Sequence, residues 1–289
     1  MPTTCAIILD YFGSSKTIAC LTSLADQGLD TVMIVDNSGD RQANIQLQEA
    51  LIDFTQSNKP FTIHQIVNSK NLGYAAGVNI ALRWLKKNQP HRYYLLINND
   101  AQATPGMLTK LLQFMQEHDR TALTAPIIDM GQKEIAYSWY HRFTGLMFSH
   151  HIIGTFPYLT GCCLLVDQRI VGDALFDEDF FMYGEDVELC WRLRLSGWET
   201  ACISQALVLH EGTGSSHHGG FFYEYHVARG HLLLAGKLAK HRCEIPFLYS
   251  WKLLILSARA LLRSIRFRSL VPIKAWISAL QKNHISMAR

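Results

Sequence analysis

Four short apolar runs, at residues 5–9, 31–35, 61–67 and 93–97, are separated by stretches of helical periodicity at 16–27, 41–55 and 75–87. The runs are continuously apolar rather than alternating. That is the pattern of strands covered on both faces of a sheet. Gly28 stops the first helical stretch, and Asn88 and Pro90 stop the third. Strand and helix in strict alternation imply an α/β fold: a doubly wound, Rossmann-like, mainly parallel sheet flanked by helices. Such sheets bind ligands at the carboxyl ends of their strands. Polar residues just after a strand are therefore the first place to look for function.

Three clusters meet that condition: Asp36-Asn37-Ser38, the segment Asn68 to Asn79, and Asn98-Asn99-Asp100. Beyond them the pattern is less regular. A strand is expected at 160–166, a helix at 187–195 stopped by Gly197, and a strand at 206–209 leading into His210. The stretch 143–166 lacks Asp, Glu, Lys and Arg, but its two histidines, one proline and three glycines suit buried strand and loop better than lipid. Seven scattered cysteines without a CxxC pair read as free thiols in a reducing compartment. No basic segment followed by an apolar one opens the chain, so the expected location is cytoplasmic.

Each cluster supports more than one chemistry. Asn98-Asn99-Asp100 offers the oxygens that a hard divalent cation prefers, yet strand-end Asn and Asp are also ordinary turn residues. Asn71-Leu72-Gly73-Tyr74-Ala75-Ala76-Gly77-Val78-Asn79 is a small-residue loop entering a helix, where backbone can approach a phosphate. Its spacing is neither a P-loop nor GxGxxG. Tyr183-Gly184-Glu185-Asp186 sets two acids at a helix start behind aromatic residues. The pair suits helix capping, and equally a general base of raised pKa. His210 ends a strand, where an imidazole can be structural or can touch metal or phosphate.

Taken in order, Val35-Asp36-Asn37-Ser38, the 71–79 loop, Asn98-Asn99-Asp100, Thr160-Gly161, Tyr183-Gly184-Glu185-Asp186 and His210 resemble the family 2 glycosyltransferases of GT-A fold, in their rhamnosyltransferase-like branch. The resemblance spans roughly residues 5–216. It implies an inverting transfer of a sugar, rhamnose being the candidate, from a nucleotide-diphosphate donor to a hydroxyl of a glycan or lipid-linked glycan. It places Asp36 and Asn37 against the nucleoside, and Asn71, Gly73, Asn79 and Asn99 along the donor. Asp100 and His210 fall at a Mg²⁺ or Mn²⁺ site. Asp186 falls at the acceptor's base, with Glu185 beside it. Two positions depart from the family pattern. Asn98 and Asn99 leave Asp100 as the only charged residue of the DxD-like site, and Asp10 stands where relatives carry a neutral polar residue. Asp10 either joins nucleotide recognition or caps the next turn, and the second reading is favoured. A sugar nucleotidyltransferase and a non-catalytic binding relative are the competing functions. Leu9-Asp10-Tyr11-Phe12-Gly13 lacks the Gly-rich, basic opening of the former.

The catalytic domain is expected to occupy residues 1–230, followed by a helical basic extension at 231–289. From Lys240 onward ten Lys or Arg face one acid, Glu244, whereas the whole chain carries only +3. In helical projection Lys252, Arg259, Arg263 and Arg266 form one stripe, and Leu254, Ala258, Leu261 and Ile265 another. The basic stripe is expected either to be solvated or to meet an anionic membrane, with the protein peripheral on the cytoplasmic face of the inner membrane. No nucleic-acid recognition motif accompanies the charge, so no nucleic-acid partner is expected.

Overall fold

The computed structural model describes residues 3–57, 61–211 and 219–287, and the side chains of the last helix only through residue 282. Gly212, just after the His210-Glu211 strand end, lies outside the described residues. The first half is the expected alternation: β1 (Thr4–Asp10), α1 (Ser14–Leu24), β2 (Thr31–Asp36), α2 (Arg41–Ser57), β3 (Thr62–Val67), α3 (Tyr74–Asn88) and β4 (Tyr93–Ile97). β5 (Ala101–Ala103), α4 (Met107–Glu117), β6 (Thr121–Asp129) and β7 (Glu134–Ile135) follow. A small antiparallel sheet comes next, built from β8 (Ser138–His141), β9 (Met147–Phe148) and β10 (Thr155–Tyr158) in the order β10-β8-β9. The chain then forms β11 (Cys163–Asp167), α5 (Glu185–Leu195), β12 (Glu199–His210), α6 (Phe221–Lys237), α7 (Ile245–Phe267) and α8 (Val271–Met287).

Among the described residues the main sheet has nine strands in the order β3-β2-β1-β4-β11-β6-β12-β5, with β7 beside β6. Parallel pairing joins β3, β2, β1 and β4. β11 then enters antiparallel between β4 and β6, so the sheet is mixed beyond β4. Hydrophobic pattern is blind to strand direction here: every residue of β11 is buried, as in β2 and β4. β3 is the exception to two-sided burial, being an edge strand that is half-exposed. β12 begins seven residues earlier than expected because Glu199-Thr200 and Ser204-Gln205 break the apolar run, with a register shift between Ile203 and Leu207.

The continuous strands feed two cores. In β1, Cys5 and Ile7 face one side, with α3, α5 and the small sheet; Ala6 and Ile8 face the other, with α1, α2 and α4. Each such buried aliphatic side chain contributes about 1.5–3 kcal/mol relative to exposure. A third, smaller cluster joins Ala228 and Leu232 of α6 to Leu256, Ala260 and Trp276 of the last two helices. Leu234 and Leu238 turn the other way, into the core of the main sheet. Residue 230 therefore falls inside a helix that both cores share.

α7 reverses the expected orientation of its basic stripe. Lys252 is 0% exposed, its Nζ donating to the Tyr140 hydroxyl at 2.9 Å and to the Arg142 carbonyl at 3.3 Å. Arg259 and Arg263 donate to the two carboxylate oxygens of buried Glu224 on α6, at 2.7 and 2.6 Å. Of the four, only Arg266 points outward. The reason is pairing: acceptors on β8 and α6 wait at these positions, and a buried cation is tolerated where it is matched.

Candidate active site at the carboxyl ends of the strands

Parallel register sets Asp10 beside Asp36 at the ends of β1 and β2. Asp36 is oriented by local bonds: one oxygen accepts from the Ser38 amide and the other from Asn44 Nδ2, at 2.9 and 2.8 Å, which leaves each oxygen a further lone pair. Asp10 accepts from Thr17 Oγ1 at 2.5 Å and the Gly13 amide at 3.4 Å, so it ties down the turn into α1, the favoured reading. Burial, with the Asp36 charge as a lesser cause, holds its carboxyl above the usual range. Asn99 reaches the same spot, donating to Asp10 and Thr17 at 3.4 and 3.3 Å.

Asn37 braces the 71–79 loop. Its Nδ2 donates to the Gly73 carbonyl at 2.9 Å, while its Oδ1 accepts from Asn68 Nδ2 and the Leu72 amide. Asn71 closes a turn by accepting from the Gly73 amide at 2.8 Å. Gly73 has φ of 83°, and a Cβ there would stand 2.3 Å from the Phe181 carbonyl. This approach lets the Tyr74 amide donate to that carbonyl at 2.7 Å. Asn79 is corrected. It is 0% exposed, and its amide is consumed by Leu175, Phe176 and Glu178. It pins the 175–178 segment and has no face left for a donor.

From this loop a chain of contacts leads to the carboxylate pair. Tyr74 Oη donates to the Gly161 carbonyl at 2.8 Å, and the Gly161 amide donates to Asp186 Oδ2 at 3.2 Å. α5 opens at Glu185 behind a backbone that is left-handed at both Tyr183 (φ 66°) and Gly184 (φ 108°). A non-glycine residue there is strained, and such strain is found at sites held by their surroundings. The surroundings are α6: a Cβ on Gly230 would lie 2.1 Å from the Tyr183 carbonyl, so only glycine allows the helix to press on this turn. Glu185 is buried, and its Oε2 has no hydrogen-bond partner among the described residues. Burial raises the carboxyls of both Glu185 and Asp186, and the neighbouring Asp186 charge raises Glu185 further. Backbone amides, Val187 at 2.8 Å first, temper the rise at Asp186. Phe181 stacks on His226 at 4.7 Å and meets Phe222 edge-on at 6.0 Å, walling this side of the loop.

Asp100 and His210 meet because β12 pairs antiparallel with β5, setting His210 opposite Ala101. The imidazole Nε2 lies 3.1 Å from Asp100 Oδ1. Burial would raise the Asp100 carboxyl, but the hydrogen bond and charge of His210, with Lys16, outweigh it and leave it below its ordinary value. Among the described residues no third His, Cys, Asp or Glu completes a cluster able to hold a metal alone. One carboxylate and one imidazole fit a shared cation whose shell is finished by water and substrate phosphates.

Sequence reasoning assigned no role to Phe181, Tyr74 or Gly230. Tyr74 stands within the 71–79 loop, but its hydroxyl's partner, Gly161, lies 87 residues away. Phe181 acts through its carbonyl and its ring contacts with α6. Gly230 looks like an ordinary helix-weakening glycine until the turn it touches is known.

A parallel nucleotide-type half-sheet, a mixed second half and an acidic helix start facing the strand ends make up the architecture of GT-A glycosyltransferases. Residues 6–174 match the model of glycosyl transferase family 2, and residues 93–276 that of glycosyl transferase family group 2. The N-acetylglucosaminyl-diphospho-decaprenol L-rhamnosyltransferase of Mycobacterium tuberculosis is 26% identical over 229 residues, covering 67% of this chain and 70% of its own. A low-salt glycan biosynthesis hexosyltransferase of Haloferax volcanii is 22% identical over 199 residues, covering 65% and 61%. In fold, the chain is similar to the mannosyltransferase of Pyrobaculum calidifontis solved with GDP-Man and Mn²⁺, with a TM-score of 0.60, 12% identity and coverage of 98% of this chain and 87% of that one. The chain belongs to glycosyltransferase family 2 and is a glycosyltransferase. Family membership sets aside the nucleotidyltransferase alternative.

Proposed function

We propose that this enzyme is an inverting transferase that moves a sugar, rhamnose being the candidate, from a nucleotide diphosphate to a hydroxyl of a lipid-linked glycan. The sugar and acceptor rest on the name of the mycobacterial relative. The observation that carries the mechanism is the hydrogen-bonded path Gly73–Tyr74–Gly161–Asp186, which fixes the candidate base relative to the candidate donor loop. Asp36 and Asn99 sit at the nucleoside end, and Asn71 and Gly73 along the diphosphate. Mg²⁺ or Mn²⁺ held by Asp100 and His210 would neutralise charge on the departing diphosphate.

The chemistry of the chain's own groups is acid–base. Asp186 takes the proton of the acceptor hydroxyl as its oxygen bonds to the anomeric carbon. The electron pair of the old sugar–phosphate bond leaves with the diphosphate. Attack opposite the leaving group inverts the centre through an oxocarbenium-like state. Raised basicity at Asp186 strengthens it for this role, and the Glu185 oxygen, without a partner among the described residues, is open to a second hydroxyl. In the role of base, Asp186 contributes about 10²–10⁴-fold to the rate.

The test is donor turnover with a panel of nucleotide sugars, titrated with Mn²⁺ and Mg²⁺, in wild type, Asp100→Ala and Asp186→Ala. The expected result is loss of metal response in the first variant and loss of turnover with retained donor binding in the second. Full turnover in both would overturn the assignment.

A further inference from the structure

Turning the cations of α7 inward leaves its outward face apolar. Phe247, Trp251, Leu254, Ala258, Leu261 and Ile265 recur at spacings of four and three along this face, and no charge interrupts them. Leu254 is 61% exposed and Ile265 67%. The helix has 23 residues, a length of about 35 Å at 1.5 Å per residue. A continuous apolar row of this kind is more than the scattered exposed leucines of ordinary surfaces, and marks an interaction site. At its N-terminal end the row runs into an apolar groove of about 390 Å³, lined by His141, Phe143, Thr144, Phe247 and Trp251. The rings of Phe143 and Phe247 meet at 5.8 Å, and Leu146 and Met147 are exposed in the same turn.

We propose that this face rests in the headgroup–acyl boundary of an anionic lipid bilayer, with α7 lying parallel to the membrane plane. The charges around the row select lipid over a second copy of the chain. Arg242 just before α7, Arg266 at its end, Arg268 just after it and Lys274 in the first turn of α8 are exposed. The one acid after residue 239, Glu244, is already paired with Arg142. Two copies set face to face would oppose like charges, whereas anionic headgroups complement them. The helix is apolar and long enough to cross a bilayer by length and composition. Its inner face argues against crossing: Lys252, Arg259 and Arg263 are held by Tyr140, Arg142 and Glu224 of the catalytic body, and a spanning helix would draw these groups into hydrocarbon. An in-plane helix keeps them on the protein side. The attachment is thus driven by buried apolar area, with electrostatics in support. If the acceptor is lipid-linked, as proposed above, the same attachment holds the enzyme at its acceptor; the binding itself does not depend on that reading.

The test is flotation of the full chain with vesicles of phosphatidylcholine and of an equimolar phosphatidylcholine–phosphatidylglycerol mixture, for wild type and Leu254→Glu/Leu261→Glu. Both substituted positions are exposed, so the melting temperature and donor hydrolysis without vesicles are expected to be unchanged. Wild type is expected to float with the mixed vesicles and to retain part of its binding at high salt, because apolar burial is not screened. The variant is expected to lose about tenfold in partitioning per site, since each substitution removes a leucine from the apolar boundary and sets a carboxylate against anionic headgroups. Equal flotation of variant and wild type would overturn the proposal. So would wild type that ignores both vesicles and sediments as a dimer that the variant abolishes, which would give the face to a second copy.

Discussion

Replacing Gly73 by alanine tests the path from donor loop to base at its narrowest point. The residue has φ of 83° and ψ of 178°, a region that essentially only glycine occupies, at a cost of about 1–3 kcal/mol for other residues. The new Cβ would also stand 2.3 Å from the Phe181 carbonyl, a backbone atom that cannot rotate away. Relief requires the loop to retreat, breaking the 2.7 Å bond from the Tyr74 amide, worth about 0.5–1.5 kcal/mol. Together these give a destabilisation of about 2–4 kcal/mol, or some 4–16 °C in melting temperature for a domain of this size. Gly28→Ala is the control. Its φ is 73°, but nothing lies within 4 Å of the added Cβ, so it incurs the backbone cost of about 1 kcal/mol alone. Thermal unfolding by circular dichroism and donor turnover are measured on both. Gly73→Ala is expected to melt well below Gly28→Ala and to lose kcat, because the Tyr74–Gly161–Asp186 relay shifts with the loop. Equal melting of the two variants with unchanged turnover would refute the argument.

Two further outcomes follow from the titrating groups. Because burial raises the Asp186 carboxyl, its base form accumulates only above that raised value; kcat is therefore expected to rise with pH on a limb displaced above the ordinary carboxylate pKa of about 4. A pH–rate profile with its acidic limb at the ordinary value would count against Asp186 as the base. Lys252 is pushed down to about 7 by burial, with the Arg142 charge adding to the effect. The unfolded chain then binds the extra proton between pH 7 and about 10, so this group's contribution to stability rises with pH across that window and is flat below it. Lys252→Met is expected to gain on wild type by about 2 kcal/mol as pH falls from 9 to 7. Parallel stability curves in urea at the two pH values would show that the lysine is not titrating there.

The sequence determined the parallel half of the fold and the strand ends that carry the polar clusters. It could do so because two-sided burial writes itself as continuous apolar runs, and Asp36, Asn99 and Asp100 end such runs. It also determined the acidic helix start, since Gly184-Glu185-Asp186 is a local signal. Three things only the tertiary structure decided. Strand direction beyond β4 is invisible in β11, because a strand buried on both faces reads the same either way. The role of Asn79 depended on the 175–178 segment, nearly a hundred residues away, arriving to use up its amide. The facing of α7 depended on Glu224 and Tyr140: a helical projection separates a basic stripe from an apolar one, but only packing says which of them meets the protein. Charge alone suggested that the basic stripe faces outward. Its buried partners turn it inward, and the apolar row is what the molecule presents.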